Sequence, residues 1–430
     1  MAENVLLRHE DIPGIHKLDV YVAHDGYAAA RTALTTLKPE EVTAQVKASN
    51  LRGRGGAGFA AGVKWGFLPK DSDKPVYLCC NADESEPGAF KDRAIIEWNT
   101  HILLEGMLIT CYAIKAHTAY IYIRGEFAYG AKCLEAALAD TYAKGLLGKD
   151  IFGTGFDLDV YVHRGAGAYI CGEETGLIES IEGKRAYPRI KPPFPAVYGL
   201  FGCPTIVNNV ETLACVPSII KNSPEWFKSI GPESGPGPKI YGVSGHVEKP
   251  GLYELPMGLP LREVIYDYAG GIRGGKELKA VMPAGSSFPV LTPDEIDVHM
   301  DFDSMRAIGA FLGTAGIMVM DEDTCMVGAL EIIDRFYHHE SCGQCSPCRE
   351  GTGWLHRLLV QLEEGNAKAD DLELIDRICN NMMGNTVCVL ADAAAMPTQS
   401  FLTKFRDEFV AHITHTGCPM KKSAPQSDTA

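Results

Sequence analysis

Between Leu51 and Trp65 the chain reads Leu-Arg-Gly-Arg-Gly-Gly-Ala-Gly-Phe-Ala-Ala-Gly-Val-Lys-Trp, with five glycines, two arginines and one lysine. Such a segment cannot serve a packed core, because glycine brings no side chain and loses the most backbone entropy on ordering. What it offers is a run of bare N–H groups able to close on an anion, with cationic side chains beside them. Gly53, Gly55 and Gly58 also spell G-x-G-x-x-G. A lone match of this kind is more often a plain surface loop, and it marks a dinucleotide fold only after a strand and before a helix. Here it follows Glu40–Asn50, which reads as helical, and the first strand-like run, Lys74–Cys80, comes after it. G-x-x-x-x-G-K-[ST] is absent, which excludes a P-loop. A phosphate-cradling loop is the reading that remains, in a Rossmann-like setting that is not the standard dinucleotide fold.

The rest of the N-terminal half supports an α/β layer structure. Residues 26–48 read as two short helices, the second opening at Pro39 with Glu40 and Glu41 in its first turn. Helical periodicity over 92–115 and 127–144 alternates with β-rich runs at 74–80, 118–124 and 157–163. A second glycine-rich stretch, Gly165–Thr175, enters a helix running toward Ile181 with Glu173 and Glu174 in its first turn. Those carboxylates either complement the helix dipole, worth about 0.3–1 kcal/mol each, or accept from ribose or ribityl hydroxyls. Lys191-Pro-Pro-Phe-Pro195 is a rigid extended segment. Asn208 and Asn209 read as turn formers or as amide partners for a polar ring edge.

Residues 222–239 hold enough proline and glycine for a linker. After it, 240–247 and 252–255 form a hairpin around Lys249-Pro-Gly251, followed by a short helix over 261–268. That order predicts a small α+β module of the β-grasp (ubiquitin-like) kind, with no catalytic constellation and hence a spacer or docking role. From 325 onward helices at 325–339, 352–364, 370–381 and 391–411 predict a four-helix bundle, with a polar, fraying tail after Cys418. The expected domains are 1–238, 239–324 and 325–430.

A net charge of −15 without a long basic run argues against nucleic acid or an anionic membrane surface as the main partner. No uninterrupted apolar run reaches the roughly 18 residues of a membrane-spanning helix. The N-terminal residues suit neither a secretory signal nor a transit peptide, so a cytoplasmic or already processed protein is expected. The 14 cysteines then point to metal or redox work rather than disulfides. Cys79, Cys80, Cys111, Cys133, Cys171, Cys203, Cys215 and Cys325 are isolated and read as small buried hydrophobes.

Cys342, Cys345 and Cys348 are different: C-x2-C-x2-C can wrap one face of a cubane and ligate three irons. Haem attachment would need histidine where Ser346 stands, and zinc would favour a second paired knuckle that is missing. A [4Fe–4S] cluster is therefore favoured. A ferredoxin run would carry its fourth cysteine at Thr352. Cys379, Cys388 and Cys418 are the alternatives, with His338 and His339 also open; Cys388 is preferred because it lies in a loop at a helix start.

A nucleotide-type pocket and an electron-carrying cluster on one chain call for a flavin, which accepts a hydride and gives up electrons singly. Such a site needs no triad, only a nicotinamide held at near-attack distance. Arg52–Phe59, Asn81–Gly88, Gly165–Ser180, Asn208–Thr212 and Glu340–Gly351, in this order, resemble the NADH-binding FMN flavoprotein subunit of respiratory complex I. Glu-Ser-Cys-Gly-x-Cys-x-Pro-Cys-Arg-x-Gly is highly specific to that family, and Gly176 is a small departure where alanine is common.

The resemblance implies FMN held by Gly53, Arg54, Gly55, Gly56, Ala57, Gly58, Lys64, Asn81, Asp83, Glu84, Gly172, Lys191, Asn208, Asn209 and Thr212. It implies NADH with its adenine among Phe59, Phe67 and Phe194, and Glu86, Tyr169, Glu173 and Glu174 bordering nicotinamide and riboses. A carboxylate near the ribose would repel a 2′-phosphate, favouring NADH over NADPH. Cluster ligands would be Cys342, Cys345, Cys348 and Cys388. Implied partners are a [2Fe–2S] thioredoxin-like subunit and a larger multi-cluster subunit, at the cytoplasmic face of a bacterial inner membrane, or the matrix side in a mitochondrion. The nearest rivals are the same module in a soluble NAD-linked hydrogenase or formate dehydrogenase, and a non-catalytic zinc- or cluster-bearing assembly module.

Overall fold

The computed structural model describes residues 4–420. Four short apolar segments, Tyr77–Ala82 (β1), Thr118–Ile123 (β2), Asp159–Arg164 (β3) and Thr205–Asn209 (β4), pair in parallel in the order β3-β2-β1-β4. The chain thus leaves β1 toward one edge and returns to its other side at β4. Between β1 and β4 lies a topological switch point, where open α/β sheets hold ligands outside the carboxyl ends of their strands.

Helices Leu18–Ala23 (α1), Ala28–Thr36 (α2), Pro39–Ala48 (α3) and Ala61–Trp65 (α4) precede the sheet. Lys91–Trp98 (α5), Thr100–Ile114 (α6), Ala128–Ala143 (α7), Glu174–Ile181 (α8), Val210–Asn222 (α9) and Pro224–Lys228 (α10) connect and follow its strands. The single helix expected over 92–115 breaks at Asn99 (φ −142°, ψ 45°), whose side-chain amide donates to the Leu6 carbonyl at 2.8 Å. β4 and α9 are not among the expected elements. β4 is five residues long and mostly buried, too short for a periodic signal, and its asparagines end a strand instead of making a turn. Pro217 inside α9 removes an N–H, and α6 crosses there at Gly106, where a Cβ would overlap the Leu213 carbonyl.

The expected linker is a strap along the glycine stretch, continuously buried only from Gly235 onward. Besides α10 it supplies three carbonyls to the glycine stretch: Glu233 to Asn50, Ser234 to Arg52 and Pro236 to Arg54. A second sheet follows, of Pro238–Gly245 (β5), Gly251–Pro256 (β6), Leu278–Met282 (β7) and Gly316–Asp321 (β8), ordered β6-β5-β8-β7. β5 and β8 are parallel and the outer pairs antiparallel. Leu261–Glu263 (α11), which runs into a π-turn at 264–268, and Phe302–Ala307 (α12) complete a unit with its own apolar core.

The remaining chain is helical: Met326–Glu340 (α13), Ser346–Glu364 (α14), Ala369–Met382 (α15), Leu390–Lys404 (α16) and Arg406–Thr414 (α17). The helix expected over 391–411 is two, broken at Phe405 (φ −121°, ψ 28°), so among the described residues five helices stand where four were expected. α14 starts earlier than 352 because Pro347 suits a first helical turn, and Cys348 lies within it. Residues 421–430 of the expected tail lie outside the described residues. Among the described residues no helix is long and apolar enough to cross a membrane.

Candidate functional site

The glycine stretch folds back on itself at the switch point. Arg52 and Ala60 form an antiparallel bridge, the Gly53 N–H donates to Phe59 O at 2.8 Å, and the Ala61 N–H to Leu51 O at 2.9 Å. The Arg54 N–H donates to Thr212 Oγ1 at 2.8 Å, tying the loop to the start of α9. Gly55 passes so close to β4 that a Cβ would sit 3.0 Å from Asn209 Cβ. Gly56 adopts φ +124° and bridges to Gly313, while a Cβ on Gly58 (φ +67°) would overlap the Phe302 ring. The loop is therefore held between the strand ends and the second sheet's unit, with Gly55 and Ala57 facing solvent.

The Arg54 guanidinium turns away from the loop opening. It is fully buried, donating to Pro236 O at 2.7 Å. Lys64 does reach in: its Nζ donates to Val207 O and Glu174 Oε2, both at 2.9 Å. Lys191 Nζ contacts Glu173 Oε1 at 2.9 Å and Glu174 Oε1 at 2.8 Å. Burial raises the Glu174 carboxyl, yet Lys64 and Lys191 outweigh it and hold the group below the usual range. Glu173 also caps α8 through the Thr175 and Gly176 N–H groups. A Cβ at Gly176 would lie 2.7 Å from Ile170 O, so glycine here matches a close approach of the preceding turn.

The segment after β1 lines the other wall. Asn81 Nδ2 donates to Gly172 O at 2.8 Å, bringing the two glycine-rich regions together. Asp83 is buried, which pushes its carboxyl up to about 7 against the opposing effect of the Ser85 hydroxyl at 2.9 Å. Glu84 accepts from the Asp92 and Arg93 N–H groups and so caps α5. Asn208 Oδ1 accepts from Trp65 Nε1 at 2.9 Å, and Asn209 caps α9 while its amide donates to Asp92 at 2.6 Å. Phe59 and Phe67 stand half exposed at the rim, ring centroids 5.8 Å apart. Phe194 is also exposed, but no ring contact joins it to that pair.

Glu86 and Tyr169 meet directly, the phenol donating at 2.7 Å. Two serines missed in the sequence complete this pair: Ser287 gives its N–H at 2.9 Å and its hydroxyl at 2.7 Å, and Ser286 its hydroxyl at 3.2 Å. The available signal was the small-residue run Pro283-Ala-Gly-Ser-Ser287, whose Gly285 (φ +92°) would press a Cβ to 2.6 Å from Glu86. Burial raises the Glu86 carboxyl despite these donors. Also unforeseen is a buried group beneath the crevice, where Glu211 meets Lys239 at 2.7 Å and Lys91 at 2.9 Å. Burial would raise Glu211, but Lys239, Lys91 and Arg54 keep it ionised.

Tyr169 carries the link to the cysteines. Its N–H donates to Glu340 Oε2 at 2.9 Å, at the end of α13 and two residues before Cys342. Cys345 Sγ accepts from the Val387 N–H at 3.4 Å, and Cys348 Sγ lies 3.2 Å from Ser341 Oγ. Burial pushes the Cys388 thiol up to about 12, with Cys342 and Cys348 close enough to add to the shift. Cys379 is instead fully buried in α15, where burial and then Asp334 and Asp376 raise it. Among the described residues, the one group of potential ligands all within 4.8 Å of each other lies elsewhere.

Two other cysteines belong to that separate group. Cys325, expected as a small buried hydrophobe, lies half-buried 3.5 Å from Cys418, one of the alternatives for the fourth cluster ligand. Cys133 and Cys203 are also only half-buried, whereas Cys79, Cys80, Cys111, Cys171 and Cys215 are buried as expected.

Family models match this architecture in three blocks. They are the Nuo51 FMN-binding domain over residues 46–218, the SLBB domain over 239–319, and the NADH-ubiquinone oxidoreductase-F iron-sulfur binding region over 329–412. An FMN-binding domain and a 4Fe–4S region on one chain define an iron–sulfur flavoprotein oxidoreductase. The chain is 54% identical over 419 residues to the F 2 subunit of the NADH-quinone oxidoreductase of Rhizobium meliloti, covering 97% of this chain and 100% of that one. The F subunit of the Mycobacterium bovis enzyme of the same name is 50% identical over 422 residues (96% and 94% covered), and that of Rickettsia typhi 53% over 374 (87% and 89%). The chain belongs to the F-subunit family of NADH-quinone oxidoreductases. Among solved structures, an NAD+-reducing [NiFe]-hydrogenase in its air-oxidised state superposes with a TM-score of 0.82 at 34% identity. That match covers 95% of this chain and 66% of the hydrogenase chain.

Proposed function

We propose that this chain is the NADH-oxidising module of a larger quinone-reducing complex, with FMN in the switch-point crevice and a [4Fe–4S] cluster on Cys342, Cys345, Cys348 and Cys388. The residues fit a flavin nucleotide: backbone at Gly55 and Ala57 is exposed at the strand ends beside Lys64, and Asn81, Gly172 and Asn208 stand along the same crevice. Bound there, FMN supplies acceptance of a hydride from NADH and release of electrons one at a time.

The chain's own residues do the positioning. Gly55, Gly56 and Ala57 would present backbone to a phosphate, while Gly53, Arg54 and Gly58 hold the loop in shape. Lys64 and Lys191 keep Glu174 anionic beside the nucleotide, where its charge disfavours a 2′-phosphate. Asn81, Asp83, Glu84, Gly172, Asn208, Asn209 and Thr212 form the flavin wall, and Phe59, Phe67 and Phe194 the aromatic rim for adenine. Glu86, Tyr169 and Glu173 border the nicotinamide side. The observation that carries the reading is the Tyr169–Glu340 hydrogen bond, which joins the crevice to the residue two before Cys342.

The mixed second sheet, with parallel central strands, supports a β-grasp module over 239–324 that docks rather than reacts, between a flavin domain at 1–238 and a helical cluster domain at 325–430. α13–α16 would form the four-helix bundle of that last domain, with α17 an added helix. The partners would be a [2Fe–2S] thioredoxin-like subunit and a multi-cluster subunit, the whole attached peripherally to the cytoplasmic face of a bacterial membrane or to the matrix side in mitochondria. The hydrogenase likeness favours a second reading, a diaphorase component of a soluble NAD-linked enzyme; purification of the native complex with its partners separates the two. An absorption spectrum tests the core: flavin bands over a broad iron–sulfur shoulder should bleach with NADH. A colourless protein overturns it.

A further inference from the structure

At the end of the α13–α14 pair opposite the cysteine run, four side chains from separate parts of the chain converge. Cys325 caps α13, its Sγ accepting from the Gly328 N–H at 3.3 Å. Glu363 lies in the last turn of α14, His412 in α17 and Cys418 beyond it. Cys325 Sγ is 3.4 Å from Glu363 Oε1, 3.3 Å from His412 Nε2 and 3.5 Å from Cys418 Sγ. His412 Nε2 is 3.1 Å from Glu363 Oε1, and all four ligand atoms lie within 4.8 Å of one another.

We propose that Cys325, Glu363, His412 and Cys418 form a zinc site that pins the segment after α17 to the base of the α13–α14 pair. Donors around a tetrahedral zinc, at about 2.0–2.3 Å from the ion, stand roughly 3.3–3.8 Å apart. The four separations above run from 3.1 to 3.5 Å. A mixed sulfur, nitrogen and oxygen set suits zinc and not the oxygen-seeking calcium or magnesium.

The histidine supplies a second, independent argument. Its Nδ1 lies 2.7 Å from the Glu408 carbonyl, which can only accept, so Nδ1 carries the proton. That leaves Nε2 facing Glu363 Oε1 and Cys325 Sγ, in position to ligate a metal as the neutral imidazole. With Nε2 protonated the same 3.1 Å contact is a histidine–carboxylate ion pair, so zinc and a proton compete for this nitrogen. A backbone carbonyl on the far nitrogen is also how metal-binding imidazoles are held in one tautomer. The ring is 1% exposed, so the convergence is shielded from water. Gly328 leaves room on one side, since a Cβ there would approach Glu363 Oε1 to 3.3 Å.

The site is separate from the cluster. α13 has 15 residues and spans about 22 Å, so Cys325 and Cys342 stand at its two ends. An ion with no accessible redox step at that distance has a holding role rather than one in electron flow.

The test is metal analysis of the purified holoprotein, with iron, flavin and zinc measured together. The expected result is one zinc per chain in addition to cluster iron, falling at least about tenfold in Cys418→Ser with iron and flavin unchanged. Zinc-edge X-ray absorption should report two sulfur and two nitrogen or oxygen neighbours. Cys418 lies on a half-exposed segment past the last helix, so its serine variant should fold; Glu363→Gln is the second variant and should also lose zinc. Zinc-free protein, with or without a Cys325–Cys418 disulfide in a non-reducing peptide map, overturns the proposal. So does zinc that survives both substitutions, or an edge without sulfur.

Discussion

The crevice and the cysteine run share the Tyr169–Glu340 contact but are built in different ways. In the crevice the ionisable side chains already have protein partners. Lys64 and Lys191 are shared with Glu173 and Glu174, Glu86 with Tyr169 and two serines, and Glu84 and Asn209 with helix ends. Those partners come from positions as far apart in sequence as 64 and 287. At the cysteine run three thiols lie within seven residues at one helix junction, and a single loop brings Cys388 to them. A substitution in the crevice therefore disturbs a network that also holds the fold together. A substitution among the thiols would remove a proposed cluster ligand and little else.

That contrast can be broken at several points. The largest effect is expected at Cys388→Ser, which should abolish the paramagnetic signal of the reduced cluster while leaving flavin bleaching by NADH. Cys379→Ser should keep both; a reversed pair of outcomes would move the fourth ligand into α15. Next comes Lys239→Met. It leaves Glu211 ionised and fully buried with one lysine fewer, and breaking such a pair costs about 3–5 kcal/mol. Urea denaturation should register that as a clearly lowered midpoint, with cluster content per folded chain unchanged.

Gly58→Ala should be milder, about 1–3 kcal/mol, because φ +67° and overlap with Phe302 strain the loop from both sides. FMN retention on gel filtration should fall with it, and full retention would show that the loop does not shape the flavin site. Glu174→Gln removes the charge between Lys64 and Lys191. The ratio of kcat/KM for NADPH over NADH should rise by about tenfold, roughly 1.4 kcal/mol; an unchanged ratio assigns the preference to another carboxylate.

The smallest effect concerns pH. Burial pushes Asp83 up to about 7, so the folded protein binds more protons than the unfolded chain between the ordinary aspartate range and that value. Stability contributed by this group is full below the ordinary range and is lost as pH rises toward 7. Asp83→Asn should flatten that part of the stability–pH curve, measured by thermal unfolding at several pH values.

How much of this could be read without coordinates varied by region. The helices at 28–36, 39–48 and 128–143 and the hairpin of β5 and β6 matched periodicity and turn chemistry closely. The breaks at Asn99 and Phe405 did not, because both lie inside apolar periodicity and are set by neighbours such as the Leu6 carbonyl. The glycine stretch was legible as a backbone-lined loop, yet the direction of its arginine was not. Nothing local says that Arg54 points inward to Pro236 while Lys64, at the loop's exit, points to the site.

The amino-acid sequence by itself determined the chemistry available: glycine-rich backbone, paired carboxylates, and three thiols at cluster spacing. These are local facts, since backbone freedom and short ligand spacing depend on residue type within a few positions. Which partners those groups meet was decided by tertiary structure alone. β4 returns beside β1 and creates the switch point, and Ser286, Ser287 and Glu211 enter from afar. Cys325 and Cys418, separated by 93 residues, meet at the foot of two helices. Such meetings depend on how helices and strands pack, and packing leaves no mark at the spacing of any single motif.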